Sequence, residues 1–250
     1  PQTRPGRNGG IHASGSVLPA VLAVGEETGA SGAEILSAYV TGVEISSRLN
    51  HAIAARHYED GFHSTGTLNG FGAACAAAQL RELNIKETIA AVSISASQAS
   101  GVRRNFGTIA EVFHSGWAAE NGVLAADLAG RGVTGANDAM EGPAGFFLAA
   151  AGGSATDEIV GQLGCPWVFE DPGVWIKPYP NGALTYPGAG CVLELVRKHN
   201  VLASDVAQIT VHTNERVWRT LQHHNPQTGV EARFSMEFIV AVLVLDRSAG

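Results

Sequence analysis

Three cysteines in 250 residues, Cys75, Cys165 and Cys191, show no metal-ligand spacing and cannot all pair. That excludes a disulfide framework and fits a reducing compartment. Lysine and arginine form no long run, and the formal net charge is −7. Nucleic acid is thereby excluded as the main partner, although a few local cations still suffice for a small anionic substrate. No apolar run is long enough to span a bilayer, and the opening PQTRPGRNGG does not read as a signal peptide. Walker and Rossmann glycine patterns, internal repeats and low-complexity tracts are absent as well. The expectation is a soluble intracellular protein, cytoplasmic (or of the mitochondrial matrix in a eukaryote), with no membrane partner.

What is present is small. Hydrophobic residues make up 45% and charged residues 16%, enough apolar material for a substantial core in one large or two ordinary domains. The 31 glycines are spread along the chain beside abundant alanine, which points to tight helix packing rather than linkers. The pattern is densest between Gly61 and Leu83, GFHSTGTLNGFGAACAAAQLREL. There His63 precedes Ser64, Thr65 and Thr67, good helix N-caps, and a helix nearly free of side-chain bulk follows. Its N-terminus would offer free N–H groups and partial positive charge to a carboxylate or phosphate, next to an imidazole that exchanges protons near neutral pH. The alternative is a core helix with a satisfied histidine.

Around this centre the chain reads mostly as helix. Residues 1–10 are a loop or arm. His12 precedes a helix through Val17–Val24 with Pro19 in its first turn, and Ser31-Gly32-Ala33-Glu34 is a capping box for a long helix. Arg48, His51, Arg56 and His57, towards or beyond its end, are expected to be solvated. Asn84 reads as a stop, Lys86–Gln98 as a further helix, and Thr108 as a cap for the helix carrying His114. From 136 to 164 an irregular connection with a short helix near 157–163 is expected. Then the pattern changes: 167–169, 174–176 and 206–213 (VAQITVHT) read as strands, and 190–199 and 231–245 as helices. A boundary is drawn near residue 160, between an all-helical part (1–160) and a smaller α+β part (161–250).

Several separated motifs now fall into one order: HASGSVLPA, GFHSTGTLNGFGAA, NFGT with FHSGWAAENGVLAA, KPYP and EARFSMEF. Together they resemble the MmgE/PrpD family, which includes 2-methylcitrate dehydratase, cis-aconitate decarboxylase and iminodisuccinate epimerase. The resemblance implies a mainly α fold, an all-helical domain with an α+β lid and a site in the cleft between them. It also implies a homodimer and proton chemistry beside a carboxylate of a small di- or tricarboxylate, without cofactor or metal. By the same resemblance His63 is the first candidate acid or base, His12 its partner, and Lys177 a carboxylate anchor on the lid. Ser64, Thr65, His114, Tyr186 and Arg233 complete the candidate substrate-binding set. For Arg233 the alternative is a surface or interdomain ion pair.

Four departures from the family pattern stand out. Ala13 replaces the usual proline after His12. Glu111 and Val112 stand where Lys-Pro is common, and a carboxylate there is expected to repel an anionic substrate and raise the pKa of a neighbouring histidine. Asn181 to Tyr186 replaces a Cys-Cys-Arg-Tyr-Thr-His segment. The chain is also much shorter than family members, as if truncated at both ends. The leading expectation is a metal-independent hydro-lyase of the 2-methylcitrate dehydratase kind. An epimerase, a decarboxylase and a catalytically silent homologue remain as alternatives.

Overall fold

A computed structural model describes residues 2–3, 10–154 and 156–248 of the chain. The arm expected over residues 1–10 lies outside them except for Gln2, Thr3 and Gly10. Helices dominate, and Gln2–Thr3 (β1) pairs antiparallel with Val174–Trp175 (β2) as the one named sheet among the described residues. Contacts divide the chain into two compact units. The larger holds residues 1–104 and 111–176, the smaller 105–110 and 177–250. The grouping changes hands at residues 105, 111 and 177.

The larger unit is built on a helix with little to get in the way of its neighbours. Ala13–Thr28 forms α1, Gly32–Ala52 α2, Arg56–Glu59 α3, Ser64–Leu80 α4, Ile85–Gln98 α5 and Ile109–Gly130 α6. Fourteen of the 17 residues of α4 are buried, so it is covered on every side, as expected of a helix without a polar face. Its alanines meet a different neighbour on each side. Ala76 packs with Val17, Val21 and Val43 of α1 and α2. Ala74 packs with Ala90, Ala91, Ala125 and Ala129 of α5 and α6. Two glycine contacts set the spacing. A Cβ on Gly72 would run into the Gly42 carbonyl and the Ser46 hydroxyl of α2, and one on Gly122 of α6 into Ala73 and the Gly70 carbonyl. Near its start α4 turns aromatic, with Leu68 and Phe71 packed on Phe146 and Phe147 of a short helix, α7 (Phe146–Ala151).

Several boundaries differ from those read in the sequence. Helix α1 begins at Ala13, with His12 at its N-cap, so Pro19 lies inside it rather than in its first turn. The hydroxyls after His63 do not cap α4. His63 itself holds the N-cap position without a side-chain cap bond. Asn84 starts a helix instead of stopping one: its side chain accepts from Glu87 N–H in a capping box, while α4 has already closed. That closure is a Schellman motif, with Glu82 left-handed at φ 53° and Leu83 N–H reaching Ala78 O. The capping box at Ser31–Glu34 is present as read.

The region after α7 is shaped by a buried ion pair. Glu44 and Arg48, one turn apart on α2, lie 2.9 Å from each other with side chains 2% and 11% exposed. The Glu44 carboxylate also accepts from the N–H groups of Gly164 and Val168, and Arg48 donates to Pro166 O at 2.6 Å. Arg48 is thus buried rather than solvated. Residues 167–169 form turns, not a strand, because a carboxylate takes the N–H that a ladder would use. The helix expected over 157–163 reduces to a 3₁₀ turn at Thr156–Glu158 and further turns, with Gly161 and Gly164 at φ 74° and 71°.

In the smaller unit Tyr186–His199 (α8) packs on Met236–Asp246 (α11) through Ala189, Leu193, Ile239 and Leu243. Two short helices, α9 (Glu215–Thr220) and α10 (Gly229–Ala232), lie between them in the chain. The helix read over 231–245 is split by Ser235, which caps α11 by accepting from Phe238 N–H. Residues 105–110 join this unit because Phe106 stacks on Phe234 at 5.2 Å and its carbonyl takes hydrogen bonds from Gln222 and His223. The strand expected at 206–213 is not formed. The alternation is there, but no described residue supplies a ladder to it. The segment instead lines a cleft of about 540 Å³ with Trp218, Leu221, Met236 and Val240.

Substitutions at two glycines and at the buried ion pair test the packing. In Gly72→Ala the helix-propensity gain of about 1 kcal/mol is outweighed by backbone contact, giving a net loss of roughly 1–3 kcal/mol by urea denaturation. Gly116→Ala, at a helical site with nothing within 4 Å, gains up to about 1 kcal/mol. Glu44→Leu leaves Arg48 buried and unpaired and loses roughly 3–5 kcal/mol, while adding Arg48→Met recovers much of it.

Candidate active site

The first turn of α4 gathers five of the eight candidate residues. His63 is its N-cap, Ser64 and Thr65 its first two positions, and His12 and His114 arrive from the starts of α1 and α6. The entry of His63 is pinned from the backbone, where its N–H donates to Gly101 O at 3.0 Å. Gly101, at φ 131°, occupies a conformation that side chains disfavour. It packs with Gly66 against the His114 ring. A Cβ on Gly66 would press on the Ser100 carbonyl and on His114 Cβ. Two glycines therefore let the imidazole of His114 close on α4.

The result is a histidine pair. His63 Nδ1 lies 2.9 Å from His114 Nδ1, with the rings tilted at 55° and the residues only 7% and 4% exposed. A contact between two ring nitrogens is a hydrogen bond only if one carries the proton and the other a lone pair. When His63 holds the Nδ1 proton in the neutral pair, its Nε2 is a base. When His114 holds it, His63 Nε2 carries the proton and is a hydrogen-bond donor. His114 is thus placed against His63. Burial pushes the His114 pKa below its ordinary value of 6.5, keeping it neutral. The rise expected from Glu111 is not seen, because desolvation dominates at this position.

His12 is held on the other side of the turn. Its Nδ1 lies 3.1 Å from Thr65 Oγ1, and its N–H donates to the same oxygen at 3.3 Å. Asn69 Nδ2 donates to His12 O and to Ser16 Oγ, and Ser16 meets Ser115 of α6 at 3.0 Å. Ser64 is 1% exposed and its Oγ has no hydrogen-bond partner among the described residues. An unpaired buried hydroxyl at a helix N-terminus is a costly arrangement that an anionic oxygen would relieve. Among the described residues no group of three or more His, Cys, Asp or Glu is arranged to hold a metal ion. The cleft of about 700 Å³ beside α5, lined by Ser93, Ser97, Thr134 and Asp138, includes none of these residues.

The other three candidates belong to the smaller unit and gather round the turn at 177–182. Lys177 Nζ donates to Asn181 O at 3.3 Å, and the Tyr186 hydroxyl sits 3.2 Å from the same carbonyl and 3.0 Å from Tyr179 O. Burial pushes the Tyr186 phenol up to about 12, so it acts as a neutral donor bracing the turn. Arg233 accepts Gly182 N–H through its backbone carbonyl at 2.8 Å. Sequence reasoning missed Asn69, the Ser16–Ser115 link and above all His57, which it left in solvent. His57 is fully buried, with Nε2 2.8 Å from Thr67 Oγ1 and Nδ1 3.1 Å from Ala150 O. The available signal was Phe62 before the His63 cap with a polar Thr67 at the fourth helical position, a staple lacking its second apolar partner.

Models of the MmgE/PrpD N-terminal domain and the MmgE/PrpD C-terminal domain match residues 7–158 and 179–250. Cis-aconitate decarboxylase of Homo sapiens is 29% identical over 94% of this chain and 50% of its own length. The enzymes of that name from Mus musculus and Aspergillus terreus are 28% and 25% identical, each over 95% of this chain. The chain spans about half the length of these relatives. No helix among the described residues is long and apolar enough to cross a membrane.

Burial gives the site a pH signature. His57 and His114 both have folded pKa values held below 6.5 by desolvation. Between the folded value and 6.5 the unfolded chain binds more protons, so stability rises with pH there. Urea denaturation is expected to show stability level above about pH 7 and declining as pH falls below about 6.5, before carboxylates titrate. His57→Phe removes its share of that slope.

Proposed function

The chain belongs to the MmgE/PrpD family, and from that premise we propose that it acts as a lyase on a small tricarboxylate through proton transfer beside a carboxylate. The observation that carries this reading is the buried His63–His114 pair at the N-terminus of α4. It supplies one group that is a base in one tautomeric state and an acid once that base has taken a proton, next to a helix end and a Ser64 hydroxyl that has no partner among the described residues and is suited to a carboxylate. His12, fixed on Thr65, is the second proton carrier.

Decarboxylation is the favoured outcome, because the relatives are named as cis-aconitate decarboxylases. In an unsaturated tricarboxylate the electron pair of the breaking C–C bond forms a new double bond as carbon dioxide leaves, the original double-bond pair shifts to the far carbon, and a proton is delivered there. His63, charged after taking up a proton at Nε2, is the proposed donor, and the helix N-terminus offsets the negative charge that develops on the retained carboxylate. Loss of water or inversion would use the same base with a different fate for the intermediate. The hydro-lyase reading therefore stands second.

The test is incubation in deuterated water with cis-aconitate, citrate, methylcitrate and iminodisuccinate, followed by proton NMR. Carbon dioxide loss from cis-aconitate with one deuterium incorporated is expected, falling by roughly 10²–10⁴-fold in His63→Ala. Water loss from citrate or methylcitrate would put dehydration first, and deuterium exchange without net loss would put epimerisation first. A folded protein inert toward all four would overturn the catalytic reading in favour of a silent homologue.

A further inference from the structure

His57 has a position that a space-filling core residue would not need. Its Nδ1 faces Ala150 O, and a carbonyl only accepts, so Nδ1 carries the proton. The ring is fully buried and its pKa lowered by desolvation, which leaves Nε2 a lone pair. Thr67 Oγ1, which also lies 3.3 Å from His63 O, then directs its one proton to Nε2 at the shorter distance of 2.8 Å. The face of the same ring lies on Phe62, 4.8 Å away and nearly parallel at 6°, and Phe62 N–H donates to His57 O.

Counted from the His63 cap, Phe62 is the residue before it and Thr67 the fourth helical position. Those two places normally touch through apolar side chains, a contact that sets the angle at which a chain enters a helix. Here the imidazole of His57 stands between them, stacking on one and hydrogen-bonded to the other. We infer that His57 is a positioning residue which fixes the entry of the chain into α4 and thereby brings the His63 ring within hydrogen-bond reach of His114. Its bond to Ala150 ties the same joint to the last turn of α7. Nothing in this geometry requires a substrate, so the inference rests on the proposed function only for its effect on rate.

The experiment uses the full chain with ¹⁵N-labelled histidine and no ligand, recording the ring nitrogens of His63 and His114 across pH. His57→Phe keeps the stack on Phe62 and loses both hydrogen bonds. Thr67→Val keeps the shape of Thr67 and loses the hydroxyl, and Thr67→Ser retains it. Both His57→Phe and Thr67→Val are expected to shift the His63 and His114 nitrogen signals and their titration midpoints, while Thr67→Ser stays with the wild type. On any substrate that turns over, kcat should fall on the order of 100-fold with KM unchanged, the loss that follows misplacing a reacting group by about 1 Å. Folded variants with a lower melting temperature but unmoved His63 and His114 signals would overturn the inference and leave His57 a packing residue. If His57→Phe does not fold, Thr67→Val alone decides by the same signals. Absence of turnover would count against the proposed function, while the nitrogen signals still decide this inference.

Discussion

The larger unit depends on how closely backbone can approach backbone around α4. Gly72 against Gly42 and Gly122 against Gly70 leave no room for a side chain at either contact. Helices this close exchange side-chain bulk for many short-range dispersion contacts, each small and collectively large. They also leave little freedom for the ends of α4, because neighbours on all sides hold its axis. A rigid, nearly featureless helix is a good base for a site, since whatever its first turn presents is presented in one orientation.

What it presents is unusual for a protein interior. His63, His114 and His57 are buried, and a ring nitrogen of each lies within hydrogen-bond distance of another side chain or a backbone carbonyl. In a low-dielectric setting a hydrogen bond between neutral groups is stronger than in water, and a misplaced proton costs more. Tautomeric state then becomes a structural property. Ala150 O dictates the His57 tautomer, and the His63–His114 bond ties the state of one ring to that of the other. The buried Glu44–Arg48 pair organises the turns at 164–168.

The smaller unit uses a related device with carbonyls in place of nitrogens. The carbonyl of Asn181 receives both the Lys177 ammonium and the Tyr186 hydroxyl, and Gly182 is fixed to Arg233 O. A lysine held in this way loses rotamer freedom. The departure at Tyr186 from the family pattern thus has a local account: the phenol braces the turn that carries Lys177.

Local pattern by itself determined the dominance of helix, the capping box at Ser31, the small-residue character of α4 and the placing of His12 and His63 at helix starts. Those features depend on neighbours within a few residues, and their chemistry is visible in order along the chain. Motif order carried the family as well. Only tertiary structure decided what each polar group touches. Val206 to Thr213 has the alternation of a strand, but a strand is made by its partner, and none of the described residues supplies one. Trp167 to Phe169 lost its ladder to a carboxylate 124 residues away, at Glu44. His57 read as solvated because it follows a helix end, yet Phe62, Thr67 and Ala150 enclose it from three different segments. Spacing reports which face a residue occupies. Whether that face meets water, a carbonyl or another imidazole depends on contacts between residues far apart in sequence, and those form only when the whole unit closes.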